Sequence, residues 1–73
     1  LTPATQADPQ DLTAWFHRGV AHLEAGQPEL AAVCFTGCTA LKADHAPAWL
    51  NRGVAYTRAR RFDLALADFE RAV

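Results

Sequence analysis

Histidine, cysteine and carboxylate side chains are where chemistry would have to start, and their spacing here argues against it. His17 and His22 stand five residues apart, which turns their side chains about 140° from one another on a helix and rules them out as a metal pair. Cys34 and Cys38 are four apart and share a helix face. Their Cβ atoms would then be about 5–6 Å apart, too far for an unstrained disulfide. No histidine or further cysteine stands at ligand spacing to complete the four-ligand set of a structural zinc site. Both read as reduced thiols, small apolar residues in a helix interface. A small secreted domain would carry a fuller disulfide framework, so a cytoplasmic location is expected. The chain has no serine, no Cys–His pair with an orienting group and no glycine-rich phosphate loop. Glu24, Glu29, Asp63, Asp68 and Glu70 read as solvated helix faces or as partners of helix dipoles. Arg58, Arg60 and Arg61 gather near one turn, either to meet an anionic group or to keep a basic turn in water. The chain is expected to be no enzyme and to need no metal or cofactor.

The elements that must position these residues are short. Seventy-three residues bound the chain to one small domain or a part of one, and such a domain buries only about 60% of its unfolded surface. The formal net charge is −1, distributed as −2 over residues 1–11, −1 over 12–45 and +2 over 46–73. That gradient is too mild for the broad basic face that nucleic acid requires. Apolar runs span only a few residues, so no bilayer crossing is expected. Residues 1–10 hold no apolar core of a signal peptide.

Periodicity carries the fold. Sliding the sequence by 34 residues brings ten identities into line between 12–39 and 46–73. They are Ala14/Ala48, Trp15/Trp49, Arg18/Arg52, Gly19/Gly53, Val20/Val54, Ala21/Ala55, Ala25/Ala59, Leu30/Leu64, Ala31/Ala65 and Phe35/Phe69. Within each unit the apolar positions recur at helical intervals. The first helix is expected from about Asp11 to Ala25, stopped by Gly26; Pro28 then opens a second that runs to Leu41. The next unit restarts near Ala46 and Pro47, turns at Arg60 and Arg61, and continues from Phe62. Four antiparallel helices result. Gly19 and Gly53 each cost about 1 kcal/mol relative to alanine in mid-helix, so another helix must approach closely there. Ala31 and Ala65 are expected to face these glycines, with Trp15, Phe35, Trp49 and Phe69 filling the space beside them. Gly37 is expected to weaken its helix.

This pattern resembles the tetratricopeptide repeat, whose signature is W-x2-L-G-x2-Y, then alanine, an aromatic and proline. Repeat one supplies Trp15, Gly19, His22, Ala31 and Phe35; repeat two supplies Trp49, Gly53, Tyr56, Ala65 and Phe69. Asp8 and Pro9 match the end of a preceding repeat. The departures are Arg18 and Arg52 in place of leucine, His22 in place of tyrosine, Ala43 in place of proline and Arg60 in place of a turn glycine. The two arginines are expected to pack their stems and extend their charges into water. The Arg-Gly pairs look similar to bacterial versions of the repeat. The resemblance implies an all-α fold, antiparallel helix-turn-helix repeats stacked as a short right-handed α-solenoid. It divides the chain into a lead-in over 1–11, repeat one over 12–45 and repeat two over 46–73. Such arrays usually need three or more units and polar caps, so a longer array or self-association is expected.

In this family the first helix of each repeat lines a concave groove that takes a peptide. Carried over by position, the groove would use Thr13, Phe16, His17, Val20, Leu23 and Glu24 from repeat one. Pro47, Leu50, Asn51, Val54, Thr57 and Arg58 would come from repeat two. Phe16, Val20, Leu50 and Val54 form an apolar stripe that packing within a repeat does not require. It would serve a partner, a neighbouring repeat or a second copy. Asn51 could make two hydrogen bonds to a peptide backbone, and Arg58 could meet an acidic group. Of the family's carboxylate clamp only Asn51 has a match, so a clamp on a terminal carboxylate is not expected. The expected function is a protein- or peptide-binding module with neither nucleic acid nor membrane as partner. A homo-oligomeric structural piece and a regulatory appendage of a larger protein are the alternatives.

Overall fold

The computed structural model describes residues 11–73, so the Asp8–Pro9 match and most of the 1–11 lead-in lie outside the described residues. Four helices follow one another: α1 (Leu12–Glu24), α2 (Pro28–Leu41), α3 (Ala46–Arg58) and α4 (Phe62–Ala72). No strand occurs among the described residues. Each helix packs against its neighbours in sequence, and α1 touches α3 lightly. The fold is therefore all-α and built of antiparallel helix pairs.

Local chemistry sets the helix ends. Asp11 caps α1, its Oδ1 accepting from the Ala14 amide at 3.2 Å, which satisfies one of the donors a helix start leaves open. Pro28 and Pro47 sit in the first turns of α2 and α3, where a missing N–H costs no helical bond. After α1 the Gly26 amide donates to Leu23 O and the Gln27 amide to His22 O; after α3 the Arg60 amide donates to Thr57 O and the Arg61 amide to Tyr56 O. Both turns are Schellman closures, which require a left-handed residue after the helix. Gly26 takes φ 76° without strain, whereas Arg60 is forced to φ 64°. Arg60→Gly removes that backbone strain and forfeits some chain entropy, for a net gain of about 0.5–1 kcal/mol. A higher urea midpoint at unchanged slope would confirm it; no shift would mean that the Arg60 side chain offsets its own strain.

The core lies between the helix layers. Ala31, Phe35, Cys38, Ala48 and Ala55 are fully buried, and Leu23 and Ala32 nearly so. Two expectations about small residues change. A Cβ added at Gly19 or Gly53 would fall 2.6 Å from Cε1 of Phe35 or of Phe69. The phenyl rings are therefore the atoms nearest the glycine backbone, ahead of Ala31 and Ala65. At Gly37 a Cβ would meet Trp15 Cδ2 at 2.9 Å. Gly37 admits the indole to the helix and is a packing device, not a weak point. One repeat later its place is taken by Arg71, whose guanidinium lies 4.7 Å from the Trp49 ring centroid.

Candidate functional site

The first helices of the two pairs, α1 and α3, carry the residues singled out for a groove. Phe16, Val20 and Val54 are half-buried and pack against the core. The Phe16 ring meets Phe35 edge-on with centroids 5.6 Å apart and meets His45 at 5.8 Å. These three side chains thus take part in packing between the helices, which agrees with the alternative that the stripe serves a neighbouring repeat. Leu50 is the open member of the stripe, 49% exposed. His17 and Arg58 are exposed and make no hydrogen bond or ion pair among the described residues. Asn51 is half-buried, and its Nδ2 donates to Pro47 O at 2.9 Å. That bond within the helix occupies one of the donors expected to meet a ligand and leaves Oδ1 as an acceptor.

Between α1 and the start of α3 lies an apolar recess of about 260 Å³, lined by Leu12, Thr13, Phe16, His45 and Pro47. Leu12 and His45 were not anticipated. His45 precedes α3, and only its contact with Phe16 across the repeat boundary brings it here. A position relative to the first helix of each repeat gives no sign of that contact.

The most buried ion pair among the described residues joins α3 to α4. Arg52 Nε and Nη2 donate to Asp68 Oδ2 and Oδ1, both at 2.8 Å, and Nη1 donates to Thr36 Oγ1 at 2.9 Å. Thr36 Oγ1 in turn donates to Ala32 O at 2.8 Å. The guanidinium also lies 4.9 Å from the Trp49 ring centroid and 5.4 Å from that of Tyr56, within cation–π range. One side chain on α3 therefore ties α2 to α4. The Asp68 carboxylate holds the Arg52 pKa above its ordinary value, chiefly by accepting its hydrogen bonds. Two expectations are corrected here. Asp68 is 3% exposed and not on a solvated face, and the Arg52 charge turns inward to that carboxylate instead of to water. Arg18 is exposed, 5.1 Å from the Trp15 ring. The residue at the Asp68 position in its own repeat is Cys34, which offers it no carboxylate.

Neither cysteine is disposed for chemistry. Cys34 and Cys38 are free and buried. Burial pushes the Cys38 thiol up to about 11, reinforced by Cys34, and raises Cys34 against the opposing field of Arg18. Thiols held protonated are poor nucleophiles. Cys38 Sγ donates to Leu12 O at 3.8 Å. In the basic turn, Arg61 Nη2 reaches Glu29 Oε1 at 3.3 Å, with both side chains more than half exposed. Among the described residues no group of three or more histidine, cysteine or carboxylate side chains could hold a metal ion. Nor is any described helix long and apolar enough to cross a membrane.

Comparison with known families agrees with this architecture. Tetratricopeptide repeat models match residues 1–34 and residues 46–73. No curated protein matches the chain closely. Two matches in succession, on four antiparallel helices in which Gly19 and Gly53 each receive the phenylalanine ring sixteen residues on, establish that the chain belongs to the tetratricopeptide repeat family.

Proposed function

We propose that the protein is a binding module that holds an extended peptide or a protein segment across α1 and α3. Tetratricopeptide repeats generally mediate protein–protein interaction and are generally non-catalytic. The observation that carries the proposal for this chain is the apolar recess formed by Leu12, Thr13, Phe16, His45 and Pro47, with half-exposed Leu50 on the same pair of helices. An apolar side chain of the ligand enters the recess. Asn51 Oδ1 accepts from a ligand amide, and His17, Val20, Val54 and Arg58 border the path. A recess with few polar groups favours apolar anchors over charged ones. The protonated thiols fit a binding role without catalysis in a reducing, cytoplasmic setting.

A peptide selected from a random displayed library against the intact protein, then titrated by fluorescence anisotropy, tests this. Leu50→Asp and Phe16→Asp are each expected to weaken binding at least about tenfold, the order of one well-buried contact. Val33→Asp, on the exposed side of α2, leaves it unchanged. Circular dichroism establishes that each variant stays folded, with Leu50→Asp the decisive one because Leu50 carries little packing. Selected peptides that bind Leu50→Asp and wild type equally would place the ligand elsewhere.

A further inference from the structure

The recess between α1 and the start of α3 has a titratable wall. Among the described residues it is lined by Leu12, Thr13, Phe16, His45 and Pro47. Of these only the His45 imidazole is of a type that takes up a charge between about pH 5 and pH 8. Packing holds that ring in place. It stands nearly perpendicular to the Phe16 ring, at an interplanar angle of 80° with centroids 5.8 Å apart, and the residue is half-buried. His45 also holds the N-cap position of α3, where its side chain makes no capping hydrogen bond.

Three features of that position oppose a positive charge on the ring once a ligand is bound. The first turn of α3 presents the positive end of the helix dipole. The other four lining residues are uncharged and supply no carboxylate. An apolar side chain that fills the recess takes water from the imidazole, and the charged ring loses more by that than the neutral one. The charged and titratable groups on the surrounding elements do not line the recess. Toward the start of α1 they are Asp11, whose Oδ1 accepts from the Ala14 amide, and exposed His17. Arg18, His22 and Glu24 follow further along that helix. In the linker they are Lys42 and Asp44, both exposed. α2 carries Glu29 at its start, paired with Arg61. On α3 the first is Arg52, which is committed to Asp68.

We propose that ligand binding at this recess is coupled to loss of a proton: an apolar side chain enters it with His45 neutral, and acidification weakens binding. The inference rests on the peptide-binding reading of α1 and α3 and adds its regulation. Linkage gives the sign. A bound state that holds fewer protons than the free state loses affinity as pH falls, by up to about tenfold per pH unit for one proton. The other two histidines are set differently. The His22 Nδ1 lies 2.8 Å from Gln27 Oε1 in a hydrogen bond, His17 is exposed, and neither lines the recess.

The test uses an N-acetylated, library-selected peptide that contains no histidine and whose binding is lost in Leu50→Asp. It is titrated by fluorescence anisotropy at about pH 7.5 and about pH 5.5, across the range in which histidine changes charge. Affinity is expected to be at least about threefold weaker at the lower pH, with the circular dichroism of the protein unchanged. His45→Gln is expected to bind about equally at both pH values, and His17→Gln to keep the wild-type dependence. Proton NMR of the wild-type imidazoles gives a second reading. Saturation with peptide moves the titration midpoint of His45 to lower pH and leaves that of His22 in place. Tighter binding at the lower pH would overturn the proposal, since His45 would then meet an acidic ligand group as a cation. A dependence that survives in His45→Gln would overturn it too. Equal wild-type affinity at the two pH values would sink the coupling and leave the peptide-binding reading intact. If no selected peptide responds to Leu50→Asp, that reading fails and the coupling with it.

Discussion

Arg52→Met leaves the protein short of about 3–5 kcal/mol of unfolding free energy, the cost of stranding one partner of a buried ion pair. The stranded group is the Asp68 carboxylate, whose side chain is 4% exposed. Both of its oxygens are satisfied by Arg52 alone, so the variant removes every hydrogen bond that Asp68 makes. A small domain holds about 5 kcal/mol in total at the low end, and the variant is therefore expected to be substantially unfolded at 25 °C. Asp68→Asn costs less, because Arg52 keeps Thr36 and the faces of Trp49 and Tyr56. The Glu29–Arg61 pair gives the contrast. Its side chains are 66% and 52% exposed, and Arg61→Ala is expected to change stability by less than about 0.5 kcal/mol. Urea unfolding followed by circular dichroism measures all three. A loss below about 1 kcal/mol for Arg52→Met would mean that water reaches Asp68 and screens it.

The helix pattern was legible in the sequence because its punctuation is local. Gly26 and Pro28 end one helix and open the next within three residues, and the 34-residue offset repeats Trp15, Gly19 and Phe35 in phase at Trp49, Gly53 and Phe69. The Arg52–Asp68 bridge was not legible, because its partners are sixteen residues apart across a turn and no helical period connects them. The two arginines look alike as letters. Only the next helix distinguishes them, with Cys34 at the place where repeat two has Asp68. A signal was present: Asp68 stands three residues after buried Ala65 and directly before Phe69, so it falls on the buried side of α4. A carboxylate there demands a cation, and the arginine of the preceding helix is the group within reach. For the groove, position within the repeat identified the helix face but not its depth. Position alone places Phe16 on the outward face, since the repeat pattern shows no need for it inside one helix pair. In the structure it meets Phe35 inside its own helix pair and His45 across the repeat boundary.

The two glycines that the repeat makes equivalent are expected to respond differently to one added methyl. Gly19→Ala lowers stability by about 2–3 kcal/mol, because overpacking outweighs the gain of about 1 kcal/mol in helix propensity. The new Cβ would lie within 2.6–2.9 Å of three carbons of the Phe35 ring. That ring is fully buried and held edge-on by Phe16, so it has nowhere to move without displacing a second aromatic. At Gly53 the clash with Phe69 is as close, 2.6–3.0 Å, but Phe69 is half-buried and borders the open depression beside Leu50 and Val73. Its ring can swing outward, and Gly53→Ala is expected to cost about 1 kcal/mol or less once the propensity gain is counted. Phe35→Leu combined with Gly19→Ala recovers part of the first loss, a coupling expected for residues in contact. Equal costs at the two glycines would show that the Phe35 ring relaxes as readily as Phe69. The interface around Phe35 would then be no more rigid than the surroundings of half-buried Phe69.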